Sequence, residues 1–162
     1  MQLGRITAVT ITSPDLDRVI DIYSKYLGYR FISSATVSAE QAKRWNAQNI
    51  EGSKVIFMSP ESSNDFFFRF IQQDIDEDYV PFGTYGWNAA ELIVKDVDQS
   101  AEKLIGSPFE VIGEPADLSF TDQIRAMQIL GPSKEIIYLT QFKSKLDEFD
   151  SPSPRCDIDQ TF

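Results

Sequence analysis

The sequence predicts an α+β fold made of two tandem βαβββ modules, which form a cupped, mainly antiparallel mixed sheet with helices outside. Three observations support this prediction. Short segments of alternating or β-branched residues recur along the chain, as they do in strands. Two amphipathic segments, each preceded by an acidic turn, have the spacing of helices. The whole order of elements then occurs a second time, which indicates a duplicated unit.

The first half of the chain contains one strand, one helix and three further strands. The helix is predicted over Asp15–Leu27, because apolar residues recur there at helical spacing until Gly28, a residue that commonly ends a helix. The segment Ala39–Asn46 is polar and contains residues that favour helices. We expect it to be an excursion of the chain within the connection between two strands. The predicted strands are Arg5–Thr12, Tyr29–Val37, Lys54–Met58 and Phe66–Gln72.

The same order begins again at Trp87, with a second helix predicted over Asp98–Ile105. The strands of this half are Trp87–Val94, Phe109–Ile112, Ile124–Leu130 and Glu135–Gln141. Three residues of the first half recur with the same spacing in the second: Ala8, Asp15 and Asp17 match Ala89, Asp96 and Asp98. We therefore predict one domain over residues 1–142, with module one at about 4–73 and module two at about 86–142. A polar tail or linker follows at 143–162.

The composition excludes several kinds of chemistry. The 162 residues carry a net charge of −10, whereas a nucleic-acid partner requires a concentrated basic surface, so no such partner is expected. No apolar run is long enough to span a bilayer, and we expect a cytoplasmic protein without a membrane partner. The chain contains no histidine and a single cysteine. These counts exclude Ser-His-Asp and Cys-His catalysis, histidine metal ligands and an internal disulfide.

Several segments resemble the glyoxalase/bleomycin-resistance/extradiol-dioxygenase superfamily, also called vicinal oxygen chelate proteins. These segments are SPDLDRVIDIYSKYLGYRF, ELIVKDVDQSAEKL and GPSKEIIYLTQF. The resemblance covers about residues 4–142 and implies that each module contributes half of a cupped sheet. It does not select one activity, because this scaffold serves lyases, isomerases, dioxygenases and antibiotic-sequestering proteins.

In this superfamily, metal ligands come from the first and last strands of both modules. The histidine of the first strands falls on Ala8 and Ala89 in this sequence, and the glutamate of the final strand falls on Tyr138. Arg69 is the counterpart of Tyr138 in the first module. Alanine cannot coordinate a metal, arginine repels a cation, and tyrosine is a poor ligand for a hard divalent ion. The resemblance therefore implies that this chain has no metal site and no cofactor.

Strand alternation assigns side chains to the two faces of a sheet. With Ala8 and Ala89 toward the cup, three phenylalanines enter the core: Phe66, Phe68 and Phe70. The same alternation predicts six ligand-binding residues around the cup: Thr10, Phe67, Arg69, Trp87, Glu91 and Tyr138. We expect Arg69 to hold an anionic group and Tyr138 to donate a hydrogen bond. A second interpretation is that Arg69 and Glu91 only pair with each other and close the space.

Three functions are compatible with these residues. The first is a metal-independent small-molecule binding protein that holds an anionic or aromatic ligand in the cup between the modules. The second is a metal-free lyase or isomerase, with Glu91 as general base and Tyr138 or Arg69 stabilising the developing charge. The third is an interaction module of a larger multi-module protein. Homodimer formation also stays open at this point.

Overall fold

The computed structural model describes residues 6–62 and 66–144, together with the backbone of residues 158–161. The strands are β1 (Ala8–Ser13), β2 (Tyr29–Thr36), β3 (Lys54–Pro60), β4 (Phe67–Gln72), β5 (Ala89–Val94), β6 (Glu110–Leu118), β7 (Thr121–Leu130), β8 (Ile136–Phe142) and β9 (Ile158–Thr161). The helices are α1 (Leu16–Leu27), α2 (Ala39–Arg44) and α3 (Val97–Leu104), with a 3-10 turn at Gln48–Ile50. Within the described residues, none of the helices has the length and apolar character needed to cross a bilayer.

The strands form two sheets, one from each module. The first sheet has the order β1-β4-β3-β2, and the second has the order β6-β7-β8-β5-β9. In each module the first and last strands run parallel, and the other neighbours are antiparallel. This arrangement confirms the predicted pair of βαβββ modules. The two sheets are separate, since the outer edge of β5 pairs with β9 and not with β1.

Both long helices are capped by an aspartate, and each begins within one residue of its predicted start, α1 after Asp15 and α3 at Val97. Asp15 Oδ1 accepts a hydrogen bond from the Arg18 N–H at 2.9 Å, and Asp96 Oδ1 accepts one from the Gln99 N–H at 2.9 Å. These contacts satisfy N–H groups that have no partner inside the helix. Gly28 ends α1 with a φ of 64°, a left-handed conformation that glycine adopts without strain.

Strand β6 is longer than the sequence predicted. The prediction ended it at Ile112, whereas the strand continues to Leu118. Gly113 and Pro115 lie in the added part, and both residue types are unfavourable inside a sheet. Register shifts against β7 accommodate them, and β6 is an edge strand, where a proline leaves no neighbouring carbonyl unsatisfied.

The helix-covered faces of both sheets form one hydrophobic core. Phe66, Phe68 and Phe70 are buried in it, as alternation predicted. Tyr23 of α1 makes edge-on ring contacts with Phe70, at 4.8 Å between centroids, and with Phe109, at 5.6 Å. Because Phe109 belongs to module two, Tyr23 packs at the junction of the two modules.

The segment between β2 and β3 covers the opposite face of the first sheet, which we call the covered face. Ser38 and Gln41 begin α2 with reciprocal side-chain-to-backbone hydrogen bonds. Five buried residues form a small second cluster under this segment: Val37, Ala42, Ile50, Val55 and Ile71. Trp45 and Phe57 pack against that cluster. The sequence predicted the excursion but not the face on which it lies.

Candidate functional site

The two parallel strand pairs, β1–β4 and β5–β8, have the same register. Ala8 lies beside Phe67 in the first pair, and Ala89 lies beside Ile136 in the second. Counting along both pairs gives the equivalent positions: Ala8 and Ala89, Thr10 and Glu91, Phe66 and Glu135, Arg69 and Tyr138, Ile71 and Thr140. The register therefore confirms the predicted equivalence of Arg69 and Tyr138.

At the positions to which the resemblance assigns metal ligands, the side chains do not form a set of metal ligands. Ala8 and Ala89 have no donor atom in their side chains, and Arg69 is cationic. Across residues 6–62 and 66–144, no three His, Cys, Asp or Glu side chains are grouped closely enough to hold an ion. The side chains present at these positions do not fit a bound metal ion.

A cavity of about 970 Å³ lies between β1 of module one and the beginnings of β5 and β8 of module two. We call it the inter-module cavity. Ala8 and Ala89 both line it, and their small side chains leave open the space that larger residues would fill. Tyr79 and Trp87 add aromatic surface, and Trp87 is 93% exposed, as expected for a residue at the rim. The polar lining residues include Thr10, Asp74, Asp76, Lys134 and Glu135.

Glu135 is a buried carboxylate beside the inter-module cavity. Its Oε1 accepts a hydrogen bond from the Tyr23 hydroxyl at 2.7 Å, and its Oε2 accepts one from the Ser133 N–H at 2.7 Å. Burial raises the pKa of Glu135 above its ordinary value, while the hydrogen bonds from Tyr23 and Ser133 oppose that rise. Burial, reinforced by the nearby Glu135, also raises the pKa of Tyr23. The Tyr23–Glu135 bond joins α1 of module one to the β7–β8 turn of module two.

Sequence reasoning missed Glu135 as a site residue and treated it only as the beginning of a strand. A signal was present in the alignment of the two modules. Glu135 aligns with Phe66, which alternation places in the core, so a carboxylate at the equivalent position of module two is expected to be buried as well. Buried carboxylates need hydrogen-bond donors, and Tyr23 and Ser133 supply them.

Two smaller cavities continue along module two. The first, of about 400 Å³, shares Trp87 and Ala89 with the inter-module cavity and is also lined by Tyr138. The second, of about 450 Å³, lies on the face of the second sheet that carries Glu91 and Tyr138, and we call it the module-two cavity. Glu91 Oε1 accepts a hydrogen bond from the Thr140 hydroxyl at 2.7 Å. Tyr138 therefore shares the first of these cavities with Trp87 and the second with Glu91.

Arg69 lies on the covered face and lines none of these three cavities. Its guanidinium stacks on Trp45, with 4.6 Å from the guanidinium carbon to the ring centroid. Its Nε is buried and has no hydrogen-bond partner among the described residues. Burial lowers the pKa of Arg69, and no carboxylate of the described residues opposes this effect. The interpretation in which Arg69 and Glu91 pair with each other is therefore wrong.

No protein-family model matches the sequence, and no curated protein matches it. Solved structures do match. A glyoxalase family protein from Bacillus cereus superposes with a TM-score of 0.67 at 19% identity, over 89% of this chain and 97% of that one. Glyoxalase I from Zea mays superposes with a TM-score of 0.61 at 19% identity, over 87% of this chain and 46% of that one. This chain has the glyoxalase-superfamily fold.

Within the glyoxalase-superfamily fold, the six predicted ligand-binding residues lie in three places. They are Thr10 and Trp87 at the inter-module cavity, Glu91 and Tyr138 at the module-two cavity, and Arg69 and Phe67 on the covered face. None of the three cavities brings Arg69 together with Glu91 and Tyr138. The physical reason is that the modules form two sheets and that the segment between β2 and β3 packs over the sheet face that carries Arg69.

Proposed function

We propose that this protein binds a small, largely apolar molecule with an aromatic group in the inter-module cavity, without a metal ion. The observation that carries this proposal is the cavity itself, about 970 Å³ between the modules at Ala8 and Ala89. Ligand sites for small molecules are concave, mostly apolar and of this size. Trp87 and Tyr79 offer flat aromatic surfaces on which a ring could stack.

The charges around the inter-module cavity favour a neutral or cationic ligand over an anionic one. Asp74, Asp76 and Glu135 all line it. Lys134 also lines it, but its Nζ donates a hydrogen bond to the Tyr79 carbonyl at 3.2 Å. The cavity therefore carries more negative than positive charge, which repels an anionic ligand. An aromatic ligand without an anionic group is not repelled. Of the two ligand types expected from the sequence, the aromatic one suits this cavity.

The experiment is a thermal-shift screen of purified protein against aromatic metabolites and drugs, with and without EDTA. A ligand that binds only the folded protein stabilises it by RT ln(1 + [L]/Kd), so the melting temperature rises as the ligand concentration exceeds the dissociation constant. For any compound that binds, we expect Trp87→Ala to weaken affinity roughly three- to tenfold, the range for loss of one aromatic contact. Tyr85→Ala is the matched control, because Tyr85 is fully exposed and lines none of the three cavities.

Filling the inter-module cavity gives a second test. Ala8→Phe places a ring inside the cavity, so a compound that binds there should no longer bind. Binding that survives both Ala8→Phe and Trp87→Ala would place the ligand elsewhere and contradict the proposal. Circular dichroism of each variant checks that the fold is retained.

A second candidate function is metal-free acid–base catalysis in the module-two cavity. It is favoured by the short hydrogen bond from Thr140 that orients the Glu91 carboxylate, and by Tyr138, which lines the same cavity. Glu91 would remove the proton from the hydroxyl-bearing carbon of an α-hydroxy carbonyl compound, and the Tyr138 hydroxyl would donate a hydrogen bond to the resulting enediolate oxygen. The proton of the substrate hydroxyl would then pass to that oxygen, and Glu91 would return its proton to the former carbonyl carbon.

The acid–base candidate is tested on a panel of small α-hydroxy and α-keto carbonyl compounds in deuterated water. Isomerisation by this route incorporates deuterium into the product. We expect Glu91→Gln to lower turnover by roughly a hundredfold or more. Glu114→Gln is the control, since Glu114 lines the same cavity but is exposed, and no side chain of the described residues donates a hydrogen bond to it as Thr140 does to Glu91. Equal loss in both variants, or no turnover with any member of the panel, would exclude this function.

A further inference from the structure

The buried Nε of Arg69 has no hydrogen-bond acceptor among the described residues. A guanidinium carries five N–H donors in a planar fork, and buried donors are almost always paired. Arg69 Nε is buried and unpaired, and no ion pair connects the guanidinium with a carboxylate of the described chain. By contrast, Arg125 is paired on two sides, with Asp98 at 2.8 Å and Asp117 at 3.2 Å.

The surroundings of Arg69 fix its position without satisfying its donors. Trp45 covers one flat side of the guanidinium at 4.6 Å. Phe57 and Thr10 flank Arg69 on the neighbouring strands β3 and β1. A cation–π contact interacts with the face of the guanidinium, whereas its hydrogen bonds lie in the plane of the fork. The fork therefore needs oxygen acceptors that these three neighbours do not supply in its plane.

We infer that Arg69 and Trp45 form a second ligand site, on the covered face, for a small carboxylate with an apolar body. The carboxylate matches the planar fork of the guanidinium, since two oxygens can accept two parallel N–H bonds. The apolar body suits the neighbours, because Trp45 and Phe57 pack around the same position. This site is distinct from the inter-module cavity, which Arg69 does not line, although its neighbour Thr10 on β1 does.

Tryptophan fluorescence tests the inference directly, because the chain contains only two tryptophans. In the full-length Trp87→Phe variant, Trp45 is the sole reporter. Titration with benzoate at constant ionic strength should change the Trp45 emission in a saturable way, since the acid would bind the guanidinium that stacks on the indole. Acetate should bind more weakly because it lacks the apolar body, and inorganic phosphate more weakly than benzoate for the same reason.

Substitutions at Arg69 separate charge from geometry. Arg69→Met keeps the packing of the side chain and removes the donors, so the dissociation constant for benzoate should rise roughly tenfold or more. Arg69→Lys keeps the charge but not the fork, and should bind benzoate several-fold more weakly than Arg69 does. Thermal unfolding of both variants checks that the fold is intact, and an unfolded Arg69→Met leaves Arg69→Lys as the deciding variant.

Arg44→Met is the matched control for non-specific charge. Arg44 precedes Trp45 in the chain, but it is exposed and paired with Glu40 at 3.1 Å. Benzoate binding should be unchanged in this variant. The inference is overturned if benzoate causes no saturable change, if Arg44→Met weakens binding as much as Arg69→Met, or if phosphate binds more tightly than benzoate. Failure of these tests would leave the neutral-ligand screen with Trp87→Ala unaffected, so the two proposals can fail separately.

Discussion

The two parallel strand pairs of this protein share a register but carry different side chains at equivalent positions. Three equivalent positions show the contrast, with the residue of module one first: Phe66 and Glu135, Arg69 and Tyr138, Ile71 and Thr140. The backbone pattern of a duplicated unit was retained, while polar groups replaced apolar ones at two of these positions in module two. A duplicated fold therefore does not imply duplicated sites.

The connection after the second strand of each module accounts for much of this contrast. In module one, β2 and β3 are joined by a segment that contains α2 and folds over the sheet. In module two, β6 and β7 are joined by Ser119 and Phe120 alone. The first sheet consequently has a covered face with a small apolar cluster, and the second keeps the module-two cavity. Apolar Ile71 suits the covered face, and hydrogen-bonded Thr140 suits the face beside the cavity.

The largest expected effect comes from truncating the equivalent residues Ile71 and Thr140. Ile71 is 1% exposed under α2, so Ile71→Ala should lower the free energy of unfolding by about 2–5 kcal/mol, as other isoleucine truncations in cores do. Thr140→Ala removes one hydrogen bond to the Glu91 carboxylate, which is half-buried and can exchange the lost partner for water, and should cost about 0.5–1.5 kcal/mol. Urea unfolding at neutral pH measures both values. Equal losses of unfolding free energy would mean that Ile71 and Thr140 are equally important to stability, which would contradict the contrast between the covered face and the face beside the module-two cavity.

A smaller effect is expected at the junction of the modules. Tyr23→Phe keeps the ring contacts of α1 but removes the hydrogen bond to Glu135, and should cost about 1.5–3 kcal/mol because the acceptor is a carboxylate. Tyr26→Phe on the same helix is the control, with an expected change within about 0.5 kcal/mol, since phenylalanine keeps the ring that packs against the core and contacts Lys25. A similar loss in both variants would show that the ring packing, and not the hydrogen bond, joins the modules.

The contrast between Phe66 and Glu135 also predicts that the free energy of unfolding depends on pH through Glu135. The equivalent Phe66 of module one does not titrate and makes no such contribution. Burial raises the pKa of Glu135 in the folded protein above its ordinary value of 4.5. Folding therefore favours the neutral acid, and this contribution to stability is fully present below about pH 4.5 and is lost as the pH rises through the folded-state pKa.

Comparison of the wild type with Glu135→Gln isolates that contribution. Other carboxylates titrate equally in both proteins, so the difference between their unfolding free energies should change with pH above 4.5 and become constant once Glu135 is ionised in the folded state. Urea unfolding at a series of pH values gives the two curves. Parallel curves over the whole range would show that the folded protein does not raise the pKa of Glu135.

The sequence predicted the local part of this structure well. Alternation in the first strand pair placed Phe68 and Phe70 in the core and Arg69 on the opposite face, and the register of both pairs agrees. Aspartate caps and Gly28 set the ends of the helices to within one or two residues. These features depend on neighbours a few positions apart, so a pattern in the sequence is enough to identify them.

The long-range part could not be predicted in the same way. Trp45 covers Arg69 because α2 folds back over one face, and polar α2 has no pattern that selects a face. Tyr23 and Glu135 are separated by 112 positions, and their contact depends on how the two modules pack. The prediction that Arg69 shares a cavity with Glu91 assumed one continuous cup, whereas pairing of β5 with β9 leaves two sheets.

The smallest expected effect is that of metal ions, for which we predict no change in stability. Ala8 and Ala89 offer no ligand atoms from the first strands, and on the last strands Arg69 repels a cation while Tyr138 is a poor ligand at neutral pH. The melting temperature measured with Zn²⁺, Ni²⁺ or Mn²⁺ should therefore equal the melting temperature measured with EDTA. A specific site would behave differently, since an ion at about a hundred times its dissociation constant adds about 2.7 kcal/mol to stability. A metal-dependent rise of that size, with about one ion per chain by elemental analysis, would contradict both this prediction and the metal-free function.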